Sequence, residues 1–181
     1  MTEQLTADSF AVSLGRGLFA IVDIADRDLV VHDRWYASHQ GKTRYAYRRP
    51  VGERFEFMHR VLLGLTTHDG KQADHINGNG LDNRRANLRL STKAENGRNR
   101  GPNRNNTSGY KRVCWHKGCK KWLANIEVDR KTINLGVYDD PIDAALAYDL
   151  AAIEHHGEFA WTNFLKCPTR EAAADRWERA S

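Results

Sequence analysis

Residues 73–96 contain, in order, the signals of a strand, a turn-rich loop, a second strand and a capped helix. The asparagine–glycine pairs at 77–78 and 79–80 indicate turns, because both residue types tolerate positive φ angles. Residues 88–90 are typical of a short returning strand. Thr92 and Glu95 form a capping box, in which each side chain bonds a backbone amide at the start of a helix. This order of elements constrains the fold more than any other feature of the chain.

Three polar side chains on these elements point to metal-dependent hydrolysis. Asp74 and the side-chain oxygen of Asn96, just past the first helical turn, suit Mg²⁺ or another divalent cation, which prefers oxygen ligands. His75 titrates near neutrality, so its neutral form can take a proton from water as a general base. Such a set fits phosphodiester hydrolysis, in which the ion stabilises charge on the phosphate.

The adjacency of Asp74 and His75 raises a geometric problem. Neighbouring residues on a strand point to opposite faces of the sheet. Both side chains can reach one phosphate only if the strand is distorted or the substrate lies across its edge. We therefore expect an irregular hairpin at this position.

The string from Ala73 to Asn96 resembles the HNH nuclease motif, in the variant where asparagine replaces the last histidine. The resemblance implies a hairpin-plus-helix metal motif. It assigns Asn87 to the catalytic set as the residue that pins the loop by side-chain hydrogen bonds. It also matches His59, within residues 57–63, to a position before the motif, where His59 either touches the phosphate or packs the scaffold.

The region before the motif combines short strand signals. Residues 1–15 suggest a loose end, residues 17–22 a strand, and residues 43–49 a strand that alternates aromatic and basic side chains around one buried face. Residues 55–64 begin as a strand and continue into a short apolar helix. The region resembles the small sheet of phage-type HNH homing endonucleases. Its aromatic and basic face either touches DNA or belongs to a core strand with solvated arginines.

Positive charge is concentrated after the motif. Residues 84–121 contain twelve Lys or Arg and one acidic residue, although the whole chain carries a formal charge of only +5. A basic stretch beside a phosphate-chemistry motif fits nucleic acid, because binding releases counterions. Residues 98–107 read as a basic linker in which Arg98, Arg100 and Arg104 are candidates to contact DNA or, alternatively, belong to an untethered hinge.

A second module follows the linker. Three strand-like runs at 110–117, 121–128 and 131–138 are separated by tight turns, and Asp140 with Pro141 starts a helix that Gly157 ends. The predicted core face carries the alternating apolar residues of the second and third strands, including Ile133, Leu135 and Val137. The predicted apolar stripe of the helix consists of Ile142, Leu146, Leu150 and Ile153.

Residues 108–164 look like an Apetala-type, ethylene-response-factor DNA-binding domain. The resemblance rests on the runs 108–113, 121–122, 135–139, 144–149 and 161–164. It implies that the sheet lies in the major groove, which a β-ribbon fits. The chain departs from the plant pattern at Cys114 and Trp115, where the plant domains carry a base-reading Arg and a polar residue. The DNA-binding candidates of this module are Lys111, His116, Lys121, Asn125, Glu127, Thr132 and Asn134.

Composition excludes several other classes. The three cysteines, Cys114, Cys119 and Cys167, do not form a disulfide framework, so we expect reduced thiols. The first residues lack the basic and apolar regions of a signal peptide, and no apolar run is long enough for a membrane span. We expect a monomer without membrane contact in the cytoplasm of a bacterial or phage-infected cell.

The sequence therefore predicts an α+β protein of two modules. Residues 1–97 form a nuclease domain with a small sheet and a ββα-metal motif, 98–107 a linker, 108–164 a three-stranded antiparallel sheet packed on one helix, and 165–181 a terminal helix or tail. The predicted function is a metal-dependent endonuclease on double-stranded DNA, guided by the second module. A DNA-binding regulator with an inactive HNH scaffold is the alternative, and an RNA-binding module is a third interpretation that rests on the basic stretch alone.

Overall fold

The computed structural model describes residues 8–40, 43–52, 54–66 and 69–164. The chain divides into two compact units, Met1–Asn96 and Gly97–Ser181. Both units mix small antiparallel sheets with few helices, so the predicted α+β class is confirmed. The expected terminal helix in residues 165–181 lies outside the described residues. Within the described ranges, no helix is long and apolar enough to cross a membrane.

The first unit opens with a β-hairpin where the sequence suggested a loose end. Strand β1 (Ser9–Gly15) pairs antiparallel with β2 (Leu18–Asp23). The expectation was wrong for residues 9–15, because Val12 and Leu14 alternate into the core and are at most 7% exposed. A 3-10 turn, Ile24–Leu29, follows the hairpin and brings Val30 into the same core.

A second sheet carries the residues that surround the candidate site. It consists of β3 (Tyr36–Gln40), β4 (Thr43–Arg48) and β5 (Glu56–Phe57), in the order β3-β4-β5. Ala46 points into the core beside Trp35, whereas the tyrosines of β4 lie on the opposite face and remain partly exposed. Helix α1 (Met58–Leu62) follows directly and buries Met58 and Leu62.

The hairpin-and-helix element of the first unit matches the predicted order. Strand β6 (Gln72–His75) pairs with β7 (Leu88–Ser91), a 3-10 turn (Arg85–Asn87) leads into β7, and α2 (Lys93–Arg98) follows. The loop between the strands is fastened to β2, because the backbone of Ile21 bonds Leu81 and Asn83 on either side of Asp82. This contact fixes the loop on the core of the unit.

One glycine permits the loop to approach β4 closely. A β-carbon on Gly80 would stand 2.4 Å from the backbone oxygen of Arg44 and 2.6 Å from a ring carbon of Tyr45. The Gly80 amide also donates to the Thr43 hydroxyl. Any larger residue at position 80 would push the loop away from the ring that contacts His75.

The second unit is a three-stranded sheet covered by one helix, as predicted. Strands β8 (Val113–His116), β9 (Lys121–Val128) and β10 (Lys131–Tyr138) are joined in the order β10-β9-β8. The turn between β9 and β10 uses positive φ angles at Asp129 and Arg130, as a tight hairpin turn requires. Helix α3 (Pro141–His156) begins where Asp140 accepts a bond from the Ile142 amide.

The predicted core face of β10 was wrong at Ile133, which is 39% exposed, and in the second half of the strand. A register shift between Asn134 and Gly136 reverses the alternation along the strand. Val137 is therefore turned outward and 43% exposed, while Tyr138 packs into the core in its place. The alternation in the sequence gave no sign of this bulge apart from Gly136.

The predicted apolar stripe of α3 was confirmed at Ile153, which is buried, and wrong at Ile142. Ile142 is 45% exposed, whereas Ala144, Ala145 and Ala152 are fully buried against the sheet. Small residues let the helix backbone come close to the strands, so Ile142 lies at the margin of the contact. Tyr148 is the largest buried side chain of this helix.

The segment read as a linker belongs to the second unit. Gly101 lies against the Trp161 ring, and the side-chain nitrogen of Asn106 donates to the Tyr110 carbonyl. The buried carboxylate of Asp149 accepts bonds from the backbone amides of Asn163 and Phe164. The Asp149 bonds attach residues 163 and 164 to the core of the unit.

Candidate functional site

Helix α2 begins with the predicted capping box. The Thr92 amide donates to the Glu95 carboxylate at 2.7 Å, and the Glu95 amide donates to the Thr92 hydroxyl at 3.2 Å. This start orients Asn96 toward β6, where its side-chain nitrogen donates to the Gln72 side-chain oxygen at 2.9 Å. The bond engages the nitrogen of the amide and not the oxygen that a cation would require.

The Asp74 carboxylate lies on the same face of β6 as Gln72, because the two residues are two positions apart. Arg89 is paired directly opposite on β7 and donates to Asp74 Oδ2 from Nε at 2.9 Å and from Nη2 at 2.7 Å. The side chains of this ion pair are 9% and 5% exposed for Arg89 and Asp74. The charge of Asp74 is therefore balanced within the unit.

The donor set on this face fits a hard divalent cation. The carboxylate of Asp74 and the amide oxygen of Asn96 are oxygen donors, and Mg²⁺ commonly takes one or two carboxylates and keeps several waters. Among the described residues, no three His, Cys, Asp or Glu side chains come together as a metal cluster. The residues present thus suit a sparsely ligated oxygen site and no zinc-type site.

His75 points to the other face of β6 and is 5% exposed. Its Nε2 lies 3.2 Å from the Asn83 side-chain oxygen, and its ring is 5.6 Å from the Tyr45 ring and 5.0 Å from the His59 ring. Because an amide oxygen only accepts, Nε2 carries the proton and Nδ1 keeps the lone pair. Burial lowers the pKa of His75, against opposing effects of Asn83 and Asp74. The imidazole is therefore neutral near pH 7, as a general base must be.

His59 is packed among aromatic rings beside His75. It is stacked on Phe57 at 5.3 Å with an interplanar angle of 10°, and it is 8% exposed. Desolvation by burial, together with the charges of His75 and Arg60, lowers the pKa of His59 to about 3. The structure thus places His59 in the packing that supports His75.

Asn87 joins the two sides of the loop. Its side-chain oxygen accepts from the Asn77 amide at 2.9 Å, and its side-chain nitrogen donates to the Asp82 carbonyl at 2.7 Å. Asp82 is fully buried, and its carboxylate accepts from Asn77 at 2.9 Å and from Arg84 at 2.7 Å. These bonds hold the loop that carries Asn83 against His75.

The open face of the second unit gathers six of the DNA-binding candidates. His116 is paired with Lys121, Asn125 with Asn134, and Glu127 with Thr132, so each pair shares one face of the sheet. Four of these side chains have partners within the unit: Glu127 binds Arg112, Lys121 binds Asp139, Asn134 accepts from the Gly136 amide, and His116 Nδ1 accepts from the Cys119 amide.

The remaining basic candidates lie apart from this face. Lys111 is directed inward, where Nζ donates to the Arg98 carbonyl and lies 5.5 Å from the centre of the Trp161 ring. Burial lowers the pKa of Lys111 to about 8. Arg98 pairs with Asp129 at 3.9 Å, whereas Arg100 and Arg104 are exposed.

Known proteins resemble both parts of the chain. Residues 66–98 match the HNH endonuclease family. Protein 3.8 of Escherichia phage T7 is 35% identical over 91 residues, which are 50% of this chain and 74% of the phage protein. The chain belongs to the HNH endonuclease family.

Two further relatives extend the comparison. The uncharacterized HNH endonuclease L560 of Acanthamoeba polyphaga mimivirus is 27% identical over 158 residues, covering 82% of this chain and 76% of the viral protein. APETALA2-like protein 2 of Oryza sativa subsp. indica is 42% identical over 60 residues, which are 32% of this chain and 14% of the plant protein. The chain thus combines an HNH region with a part similar to Apetala-type proteins. No solved structure matches the chain.

The HNH hairpin is regular, so the expectation of an irregular one was wrong. Every residue of β6 pairs with its partner on β7 without a register shift. Asp74 and His75 consequently face opposite sides of the strand, with Asp74 on the face of Gln72, which binds Asn96, and His75 near Tyr45. Of the two geometries that allow both to act on one phosphate, a substrate across the strand edge is the one compatible with this hairpin.

Sequence reasoning missed four residues of the HNH site: Tyr45, Asp82, Asn83 and Arg89. In the sequence, Asp82 and Asn83 are simply part of an asparagine-rich loop. No local pattern indicates that both side chains are completely buried. Arg89 was counted among the cations available for nucleic acid. Its place opposite Asp74 follows from the hairpin register, which the loop length alone does not fix.

The buried His59 makes the stability of the HNH unit sensitive to acid. Its pKa is about 3 in the folded chain, compared with 6.5 as the ordinary value, so the unfolded chain binds more protons between these limits. The unfolding free energy should therefore fall by up to about 1.4 kcal/mol per pH unit as the pH decreases below about 6.5.

Substitution His59→Phe should remove the His59 share of this dependence and leave that of His75, because phenylalanine can stack on Phe57 and does not titrate. Urea unfolding of the full chain at several pH values between neutrality and mild acid measures the difference in slope. Parallel pH dependences for wild type and variant would show that His59 is not desolvated.

Proposed function

We propose that this protein is a metal-dependent DNA endonuclease that hydrolyses phosphodiester bonds at the HNH hairpin. The observation that carries the proposal is the environment of His75. A buried imidazole with a lowered pKa is held by Asn83 in one tautomer, one residue from a carboxylate that suits a divalent ion. Perturbed titratable groups are common at functional sites, and an imidazole that is neutral near pH 7 has the protonation state a general base requires.

The reaction follows from these positions. His75 Nδ1 accepts a proton from the water that attacks the phosphorus, and the bond between phosphorus and the leaving oxygen breaks. The ring contacts with Tyr45 and His59 and the Asn83 bond keep the imidazole in place during this transfer. Asp74 and Asn96 would hold Mg²⁺ or a similar cation, whose chemistry is to stabilise negative charge on the phosphate and the leaving oxygen.

The regular hairpin constrains the substrate. Because His75 and Asp74 lie on opposite faces of β6, the scissile phosphate should cross the edge of this strand. The second unit then selects the site, with strand residues such as Asn125 and Thr132 facing the bases and nearby lysines facing phosphates. A sheet face of this width fits the major groove of duplex DNA.

A DNA-binding regulator with an idle HNH scaffold is the second candidate, and one observation favours it. Arg89 already engages the Asp74 carboxylate with two hydrogen bonds, so a cation has to compete with a buried guanidinium. The endonuclease proposal requires that substrate and cation together displace Arg89 from the Asp74 carboxylate.

Labelled duplex fragments separate the two functions. The full chain in Mg²⁺ should convert them into discrete internal products, and excess EDTA should stop the conversion without abolishing DNA binding. Fragments that are bound in both conditions and cut in neither would support the regulator.

Two kinds of substitution in the second unit should have different effects. Lys117 and Lys120 are exposed in the turn between β8 and β9. Their joint replacement by Gln should reduce the slope of log K against log salt by about two, because each phosphate contact contributes about 0.9.

Thr132→Ala on the open face should instead alter the distribution of cleavage sites and leave the salt slope unchanged. Binding titrations over a range of salt and mapped cleavage positions measure both effects. An unchanged slope in the lysine variant, together with unchanged sites in Thr132→Ala, would rule out the second unit as the recognition element.

A further inference from the structure

A row of aromatic rings runs along one face of the second sheet of the first unit. The aromatic row consists of Tyr36, Tyr47, Phe55, Phe57 and Tyr45. Successive ring centres along it are separated by 5.7, 6.2, 5.3 and 5.8 Å. The last ring, Tyr45, lies 5.6 Å from the ring of His75. The row therefore connects the surface of the sheet with the proposed general base.

The outer part of the aromatic row is not needed for the core. Phe55 is 51% exposed and Tyr36 is 37% exposed, whereas the opposite face of the same sheet buries Ala46 completely against Trp35. Contiguous aromatic surface of this kind on a soluble unit marks an interaction site.

Positive charge lies next to the row. The guanidinium of Arg34 is 5.6 Å from the centre of the Tyr36 ring. A groove of about 1230 Å³ adjoins Tyr36 and Tyr47, and its lining includes Arg16, Arg34 and Arg44.

The two acidic side chains beside the row share one arginine. Asp33 and Glu56 both accept hydrogen bonds from Arg48. The lining of the groove carries three arginines, Arg16, Arg34 and Arg44, and one carboxylate, Asp33, so its charge still favours phosphate.

We propose that the aromatic row binds the unpaired bases of a DNA strand beside the scissile phosphate. Stacking platforms combined with a basic groove are the means by which proteins hold single-stranded nucleic acid, because every base offers a flat face. The proposal rests on the endonuclease function and adds a substrate class to it: DNA that is single-stranded or locally unpaired next to the cut.

Continuity with His75 favours a nucleic acid over other occupants. A strand lying on Phe55 and Tyr47 would lead toward Tyr45 and the edge of β6, where the phosphate should lie. A protein partner or a second copy of the chain would cover the row without any need for the arginines of the groove. The experiment below distinguishes these occupants from a nucleic acid.

The test uses the full chain in EDTA, so that binding is measured without cleavage. The probes are a single-stranded oligonucleotide of about 12 nucleotides containing 2-aminopurine and a fully paired duplex of the same sequence. Phe55→Leu and Tyr47→Leu remove rings of the row, and Tyr47→Phe keeps the ring. Phe19→Leu is the matched control, because Phe19 is 52% exposed in the same unit but lies outside the row.

Loss of either ring should weaken single-strand binding by at least about fivefold and reduce the quenching of 2-aminopurine. Duplex binding should change less than about twofold, and Tyr47→Phe and Phe19→Leu should behave as wild type. Equal effects on both probes, or none on the single strand, would overturn the proposal. A change of oligomeric state in Phe55→Leu with unchanged single-strand binding would also overturn it and assign the row to a second copy.

The two proposals fail separately. A chain that binds single strands through the row and cuts no DNA in Mg²⁺ would contradict only the endonuclease function. A chain that cuts DNA and binds single strands equally well without the Phe55 ring would contradict only the role of the row.

Discussion

His75→Ala should lose most of the cleavage activity while DNA affinity remains nearly the same. A general base of this kind contributes roughly 10²–10⁴-fold to the rate. The imidazole is buried behind Tyr45 and Asn83, so its removal leaves the open face of the second unit unchanged. Single-turnover cleavage at saturating protein, with affinity measured in EDTA, separates the chemical step from binding.

His59→Phe is a suitable control for this experiment. It alters the neighbouring ring without removing the proposed base, and it keeps the stacking on Phe57. A cleavage rate for His75→Ala within a fewfold of wild type would remove His75 from the mechanism. A comparable loss in both variants would indicate that packing of the cluster, and not proton transfer, limits the rate.

Asp74→Ala should destabilise the first unit strongly. The substitution leaves Arg89 buried without its carboxylate, with a side chain that is only 9% exposed. Breaking one side of a buried ion pair typically costs about 3–5 kcal/mol. Hydrogen exchange in the hairpin of β6 and β7 measures the change locally, so that unfolding of the second unit does not obscure it.

Two comparison variants decide how the effect arises. Asp74→Leu combined with Arg89→Leu should recover much of the lost protection, because both charges are then absent. Asp28→Ala should have little effect, because Asp28 and Arg27 form a surface pair at 3.7 Å with side chains 87% and 50% exposed. Normal protection in Asp74→Ala would mean that the buried pair contributes little to stability.

Local chemistry explains which elements the sequence predicts. The capping box of Thr92 and Glu95, the cap at Asp140 and the turn at Asp129 are each determined by a few adjacent residues, and all three are present in the structure. The incorrect predictions arise from longer-range effects. The bulge beyond Asn134 reverses a strand face, and close packing selects the alanines of α3 over its aliphatic side chains.

In the candidate site, too, local sequence predicts some residues, whereas long-range packing determines the others. Asp74, His75 and Asn96 stand out in the sequence because their chemistry and spacing form one string. Their neighbours come from elsewhere: Tyr45 from β4, and His59 from α1. No local pattern predicts that the tyrosine of a preceding sheet contacts the base, since this depends on the loop docking at Ile21 and on the close approach at Gly80.

The most direct test of the account is the conversion of closed circular plasmid by the full chain and by His75→Ala, purified in parallel and matched for DNA binding. A closed circle has no ends, so its loss reports internal cleavage alone. The account predicts that wild type nicks or linearises the plasmid in Mg²⁺ and is inactive in EDTA, and that His75→Ala is slower by about 10² or more. Closed plasmid that survives wild type in Mg²⁺, or equal conversion by the two proteins, would contradict it.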